Sequence, residues 1–382
     1  MRSYQRKNIL IFIDWFLPGY KAGGPIQSVV NLINHLGDEF EFDVVTSNKD
    51  LGEDTAYPNI VFNRWSKNGN YRVTYLDEAH QNIQRYREIL TAKEYDAVYF
   101  NSLFSVNFTL KPLLLLRRSK IKIILAPRGM LGAGALQIKP LKKKLFLNLF
   151  RLSGFSHRIH WHATAASEAA EIKKHFGNKT KVKIATNLSA VMPEAFPKKI
   201  KETGYLNLFF LSRISKKKNL KAALQFLSEV NKQFQINFSI VGPVEEEKYW
   251  QECQQVIEGL PENVIVKNMG AVPNHELREQ LKDQHFMLLP TFHENFGHVI
   301  MESWQNACPV IISDQTPWEK LEKQRIGFDI SLSKPDEFIK SLEKSAAMDQ
   351  EEYDTWSQAS FNFAKEYCNN PKAIEDSRKL FL

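Results

Sequence analysis

Short runs of Val, Ile, Leu and Phe alternate with longer amphipathic stretches along the whole chain. A brief apolar run bounded by turn residues predicts a buried strand, and apolar positions recurring every three to four residues predict a helix. In the first half, strands are expected at Asn8 to Ile13, Phe42 to Thr46, Ala97 to Asn101, Ile121 to Ala126, Ile159 to Ala163 and Lys181 to Ala185. Helices near 26–36, 105–118, 140–152 and 167–176 fall between them. A second series of strands follows at Leu206 to Leu211, Phe238 to Val241, Val264 to Val266, Phe286 to Leu289 and Val310 to Ile312. Helices near 219–232, 245–259, 275–282 and 297–307 intervene.

Strand, helix, strand repeats of this kind build parallel sheets, so the fold class is α/β. At 382 residues the chain exceeds the size at which a single core usually stops growing, and two domains are expected. Pro193, Pro197 and the run Lys198, Lys199 and Lys201 interrupt the pattern without periodicity of their own. The division expected is therefore a first domain over 1–187, a linker over 188–204, a second domain over 205–350 and terminal helices over 351–382. Doubly wound sheets take ligands beyond the carboxyl ends of their strands.

Composition excludes several classes. The three cysteines are odd in number and widely spaced, which fits neither a disulfide framework nor a Cys-based zinc site. The run Ile9 to Ile13 is broken by Asp14, and Leu113 to Leu116 is closed by Arg117 and Arg118, well short of the roughly 20 residues that span a bilayer. A cytoplasmic location is expected. A net charge of +8 points to an anionic partner without choosing among phosphates, an anionic membrane and nucleic acid.

Four stretches carry candidate chemistry. In Leu288 to Ser313, a strand leads through Pro290 to Glu294, Phe296 and Gly297, then to an apolar helix containing Glu302. A helix N-terminus presents unpaired N–H groups and partial positive charge, which suits a diphosphate. Glu302 lies about 12 Å from Glu294 along an ideal helix, so the two acids have separate roles. One reading puts Glu294 near a sugar and Glu302 on a ribose; the other makes Glu294 a cap and Glu302 a solvated acid. In the second stretch a strand ends at Ser212 before Arg213, Lys216, Lys217 and Lys218, cations suited either to a pyrophosphate or to a solvated face. The third, Pro18 to Pro25, holds Gly19, Gly23 and Gly24 without the full dinucleotide spacing, and a tight turn explains it equally.

In the fourth stretch, Pro127, Arg128 and Gly129 follow a strand and precede the basic segment 139–151. On a helical wheel Leu141, Leu145, Phe146, Leu149, Phe150 and Leu152 fill one half, with Lys142 inside the apolar arc and Leu147 inside the polar one. That half either packs into the core or docks on an anionic membrane surface. No Asp-x-Asp, P-loop, H-E-x-x-H or G-x-S-x-G is present. His157, His160 and His162 lack a neighbouring carboxylate and read as structural.

Taken in order, these stretches resemble the family 4 glycosyltransferases over nearly the whole chain. The acid pair Glu294 and Glu302 with Phe296 and Gly297, the cations Arg213 and Lys218, and the glycines Gly23 and Gly24 carry the resemblance. Pro127 to Leu131 and Ser313 to Trp318 look like a branch found in bacterial surface-polysaccharide synthesis. The resemblance implies the GT-B fold: an acceptor-binding and a nucleotide-sugar-binding Rossmann-like domain facing across a cleft, with the last helix crossing back to the first domain. It further implies a retaining enzyme that moves a sugar from a UDP- or GDP-sugar to a glycan or lipid-linked saccharide, with no cofactor and no metal. Arg213, Lys218, Gly23, Gly24, Phe296 and Gly297 would hold the diphosphate and Glu302 the ribose. Glu294 would meet the transferred sugar, and Arg128 stands where relatives place an acceptor-side catalytic group. A nucleotide-sugar epimerase on the same fold is the rival enzyme reading. A nucleic-acid-binding protein lacks the stacking motif or recognition helix it would need.

Overall fold

The computed structural model describes residues 6–137 and 140–382. Lys139, the first residue of the basic segment, lies outside the described residues. The chain divides into two compact units, Met1–Ser189 with Asn370–Leu382, and Ala190–Asn369.

The first unit is a twisted sheet built from β1 (Lys7–Phe12), β2 (Phe40–Ser47), β3 (Trp65–Asn68), β4 (Tyr71–Leu76), β5 (Ala97–Phe100), β6 (Lys122–Leu125), β7 (Ile159–Ala163) and β8 (Lys181–Ile184). Their spatial order is β3-β4-β2-β1-β5-β6-β7-β8, parallel throughout except for β3 on β4. Its helices are α1 (Gly24–Leu36), α2 (Ile83–Thr91), α3 (Lys111–Leu115), α4 (Ala133–Gln137), α5 (Pro140–Leu152) and α6 (Ala166–Phe176). Strands such as β5, with all four residues buried, have helices on both faces, which is why they read as continuous apolar runs.

The second unit is a wholly parallel sheet of order β11-β10-β9-β12-β13-β14. Its strands are β9 (Tyr205–Leu211), β10 (Gln235–Val241), β11 (Val264–Gly270), β12 (Phe286–Leu289), β13 (Val310–Ser313) and β14 (Gly327–Ile330). Around it lie α7 (Leu220–Ser228), α8 (Glu247–Glu258), α9 (Asn274–Gln280), α10 (His298–Gln305), α11 (Pro335–Ala347) and α12 (Gln350–Cys368). Strand order reverses between β9 and β12, so the loops after these two strands flank the crevice where such sheets bind ligands.

Three elements differ from the sequence pattern. Residues 351–382 do not act as one block: α12 stays in the second unit, and only α13 (Pro371–Phe381) joins the first. There Phe381 packs on Phe40, Phe42 and Tyr99, and Arg378 grips Glu39 through Nε at 2.6 Å and Nη2 at 2.7 Å. The basic run of 188–204 is not a loose tether either. Lys199 Nζ donates to the carbonyl of Leu281 at 2.6 Å, and Lys201 Nζ donates to Ala346 and Met348 at 3.0 and 2.9 Å. Lys201 thereby places a cation on the open carbonyls at the end of α11, where the helix dipole favours one. Burial nevertheless pushes its ammonium down to about 8. The third difference is the orientation of α5. Leu147, assigned by the wheel to the polar arc, is buried with Phe146 and Phe150 against the first unit's core, whereas the leucines of the expected core face are exposed.

Candidate functional site

In the second unit, the loop after β9 and the loop after β12 are sewn together across the switch point. Phe292 N and Thr291 Oγ1 donate to the carbonyl of Lys217 at 2.9 and 3.1 Å, and Asn219 Nδ2 donates to the carbonyl of Pro290 at 3.0 Å. Asn219 takes a left-handed conformation to make this turn, which asparagine tolerates better than most residues. The result is an ion pair between Lys218 Nζ and Glu294 Oε1, each side chain only 11% exposed. The ammonium has three donors, so one can hold Glu294 while others remain for an anionic oxygen.

Glu294 is fixed from a third strand as well, because its N–H donates to the carbonyl of Gln315 beyond β13 at 3.0 Å. Gln315 and Trp318 lie in the stretch that follows β13. The indole N–H of Trp318 donates to the carbonyl of Phe296 at 2.7 Å, and the two rings meet edge to face at 5.5 Å. Phe296 is thus a buried anchor. Gly297 follows with φ of 76°, and a Cβ there would lie 2.8 Å from Cδ1 of Ile300. The left-handed backbone is what favours glycine here, since the end of the Ile300 side chain can move aside. Because this left-handed residue and the irregular loop precede α10, the path from Glu294 to Glu302 is not the ideal helix assumed from spacing.

Glu302 sits on α10 with no donor on its carboxylate among the described residues, and burial pushes its carboxyl up to about 7. A group that receives hydrogen bonds from ligand hydroxyls there would have its charged form restored. Arg213, after β9, pairs with Glu245 after β10. Both are about one-third exposed, so the pair is weak and exchangeable. Nothing in the sequence pattern singles out Glu245 or Thr291, since a single acid or hydroxyl in a loop carries no pattern of its own.

The first unit has a different polar centre. Arg128, with φ of 57°, donates from Nε to Asn101 Oδ1 at 2.6 Å, from Nη2 to the Tyr99 hydroxyl at 2.7 Å, and from Nη1 to Asn187 Oδ1. Tyr99 OH lies 2.9 Å from His162 Nδ1, and His162 Nε2 lies 2.8 Å from the carbonyl of Ala185. A carbonyl only accepts, so Nε2 carries the proton and Nδ1 accepts from the tyrosine. Burial, then the Arg128 charge, pushes the imidazole down to about 3, in keeping with that neutral tautomer. Beside it Glu168 accepts from the N–H groups of Gly129 and Thr164 at 2.6 and 2.7 Å. Arg128, which follows β6, therefore ties the end of β5 to Asn187 beyond β8. Gly23, with φ of 64°, precedes α1, whose first residue is Gly24, and the carbonyl of Pro25 accepts from Asn101 Nδ2 at 3.2 Å. Within each unit the expected residues gather at the carboxyl edge of its sheet: Arg213, Lys218, Glu294, Phe296 and Gly297 in one, Gly23, Gly24 and Arg128 in the other.

Residues 191–363 match the family described as Glycosyl transferases group 1. The match spans nearly the whole of the second unit. The match covers the loops that hold Arg213, Lys218, Glu294 and Glu302. Over both units the chain has the fold of solved GT-B glycosyltransferase structures. Sucrose-phosphate synthase from Thermosynechococcus elongatus superposes with a TM-score of 0.72 at 13% identity, covering 98% of each chain. HepE of Anabaena, in complex with UDP and glucose, gives 0.67 at 15% identity, again covering 98% of each chain. WaaG, a glycosyltransferase involved in lipopolysaccharide biosynthesis, gives 0.64 at 12% identity with the same coverage. None of the curated proteins compared with the chain matches it in sequence.

Proposed function

We propose that this glycosyltransferase moves a hexose from a nucleotide-sugar donor, a UDP- or GDP-sugar, to a glycan or lipid-linked saccharide with retention of anomeric configuration. The observation that carries the reading is the Lys218–Glu294 pair held over the β9/β12 switch point, with Glu302 on the helix that follows. That HepE is in complex with UDP-glucose in one solved structure, at 13% identity, supports a nucleotide-sugar donor.

In this reading Arg213 and Lys218 take the donor diphosphate, assisted by backbone N–H groups at the start of α10. Glu302 accepts from the ribose hydroxyls, and Glu294 orients the sugar. The acceptor oxygen bonds the anomeric carbon as the bond from that carbon to the phosphate oxygen breaks, its electron pair leaving with the diphosphate. The acceptor proton passes to the leaving oxygen on the same face. Fixed cations that meet charge as it develops on the leaving group lower the barrier most. No metal or cofactor takes part. Arg128 acts by positioning the edge of the first unit's sheet. The work is placed in the cytoplasm at the inner face of the membrane, in capsule, exopolysaccharide or O-antigen synthesis.

The test is a panel of nucleotide sugars and free nucleoside diphosphates, read by thermal shift. Ligand at a hundred times its Kd stabilises the folded protein by about 2.7 kcal/mol. A shift with one nucleotide series and turnover only on addition of a saccharide acceptor is expected. No shift with any nucleotide sinks the donor assignment, and isomerisation of the donor without an acceptor makes the protein an epimerase.

A further inference from the structure

The charge of this chain is concentrated in one segment. Between Asp96 and Glu168 there is no acidic residue at all, while twelve lysines and arginines fall there. The whole chain carries only +8, so everything outside the segment sums to −4. The same segment contains α3 and α5, and α5 is turned against the usual rule for a surface helix. Its inner side is Phe146, Leu147 and Phe150, with Phe146 meeting Phe104 at 5.4 Å and Phe150 meeting Phe176 at 5.7 Å. On its outer side Leu141, Leu145, Leu149 and Leu152 are 82%, 62%, 59% and 82% exposed.

At 100° per residue these four leucines fall within an arc of about 80°, a continuous ridge along three turns. Lys142 borders the ridge on one side, and Lys144 and Arg151 on the other, all exposed. Leu114, on α3, is 69% exposed. Between α3 and α5 lies an apolar groove of about 310 Å³, with Leu110, Leu113, Leu149 and Phe155 in its walls. Exposed Arg117, Arg118 and Lys120 continue from the end of α3.

Single exposed leucines need no explanation, but four in register beside a groove make a contiguous patch that water covers at a cost. What fits the patch is set by its surroundings. A ridge of leucines fringed by lysine and arginine, in a stretch free of acids, matches an interface that is apolar in depth and anionic at its surface. We propose that α5 and the adjoining end of α3 form the face by which this protein docks on an anionic lipid bilayer, with Leu141, Leu145, Leu149 and Leu152 entering the headgroup boundary. A second copy of the chain would bring its own basic fringe against this one and is disfavoured by like charge.

The surface is on the first unit and independent of the nucleotide site, so it stands or falls separately from the donor reading. The experiment is co-sedimentation of the full chain with vesicles of phosphatidylcholine alone or mixed with phosphatidylglycerol, at low and high salt. Binding to the mixed vesicles, weakened by salt and absent on neutral ones, is expected. Leu145→Gln with Leu149→Gln should lower the partition coefficient about tenfold or more, since each buried CH₂ contributes to insertion. Both side chains are exposed, so the melting temperature should stay unchanged and nucleotide binding should persist. Failure of wild type to sediment with anionic vesicles overturns the proposal, as does equal sedimentation of the leucine variant. A wild-type dimer in solution that the variant converts to a monomer, with no vesicle binding, would assign the ridge to self-association instead.

Discussion

Lys218, at the entrance to α7, and Glu294, four residues before α10, meet as an ion pair although 76 positions separate them in sequence. Their loops leave neighbouring strands, β9 and β12, on the two sides of the point where strand order reverses. A cation meant for a phosphate and a carboxylate meant for a sugar are thereby held in contact before either ligand arrives.

That contact predicts a division of labour. Lys218→Ala should weaken nucleoside-diphosphate binding about tenfold or more, the usual scale for one charge-assisted contact. Glu294→Gln keeps the size of the side chain and should instead reduce kcat about tenfold or more, with diphosphate binding little changed. Calorimetric Kd values and steady-state kinetics of both variants check this. Equal turnover in wild type and Glu294→Gln would remove Glu294 from the reaction.

Glu302 predicts a pH dependence. Its folded pKa, about 7, lies above the ordinary 4.5, so between these values the folded state holds a proton that the unfolded chain has lost. Stability from this group is therefore full below pH 4.5, falls as pH rises towards 7, and stays lower above it. Glu302→Gln should flatten that part of the melting-temperature profile. Ribose hydroxyls donating to the carboxylate favour its charged form, so nucleotide binding near pH 6 should release a proton that the Gln variant does not. Calorimetry in buffers of different ionisation enthalpy reads the difference directly.

Arg128→Met would leave Asn101, Asn187 and Tyr99, all buried, without their shared donor. A loss of about 2–4 kcal/mol is expected, since each buried polar group left unpaired costs about 1–3 kcal/mol. Urea or thermal unfolding should show the loss while nucleotide binding to the second unit stays intact. Turnover abolished at unchanged stability would mean that Arg128 touches the acceptor.

Gly297→Ala meets both a left-handed backbone and the side chain of Ile300. It should lower stability by about 1–3 kcal/mol and loosen the diphosphate site with it. Thermal shift with and without nucleoside diphosphate separates the two effects.

Sequence by itself determined the class of fold and much of the chemistry. Ala97–Phe100 and Phe286–Leu289 were legible as strands because a strand covered on both faces is apolar along its length. The Arg213–Lys218 and Glu294–Glu302 stretches, each open to a bland reading by itself, were legible through their order along the chain and their place after strands of the second sheet. Tertiary structure alone decided the rest. Pairing of Lys218 with Glu294 depends on strand order, which local periodicity does not encode. The short strands Trp65–Asn68 and Gly327–Ile330 form only because neighbouring strands supply their hydrogen-bond partners. The outward turn of Leu141, Leu145, Leu149 and Leu152 was likewise undetermined: a wheel orders residues around a helix, but the choice between the leucine side and the Phe146, Leu147 and Phe150 side is made by what packs best against Phe104, Trp161 and Phe176.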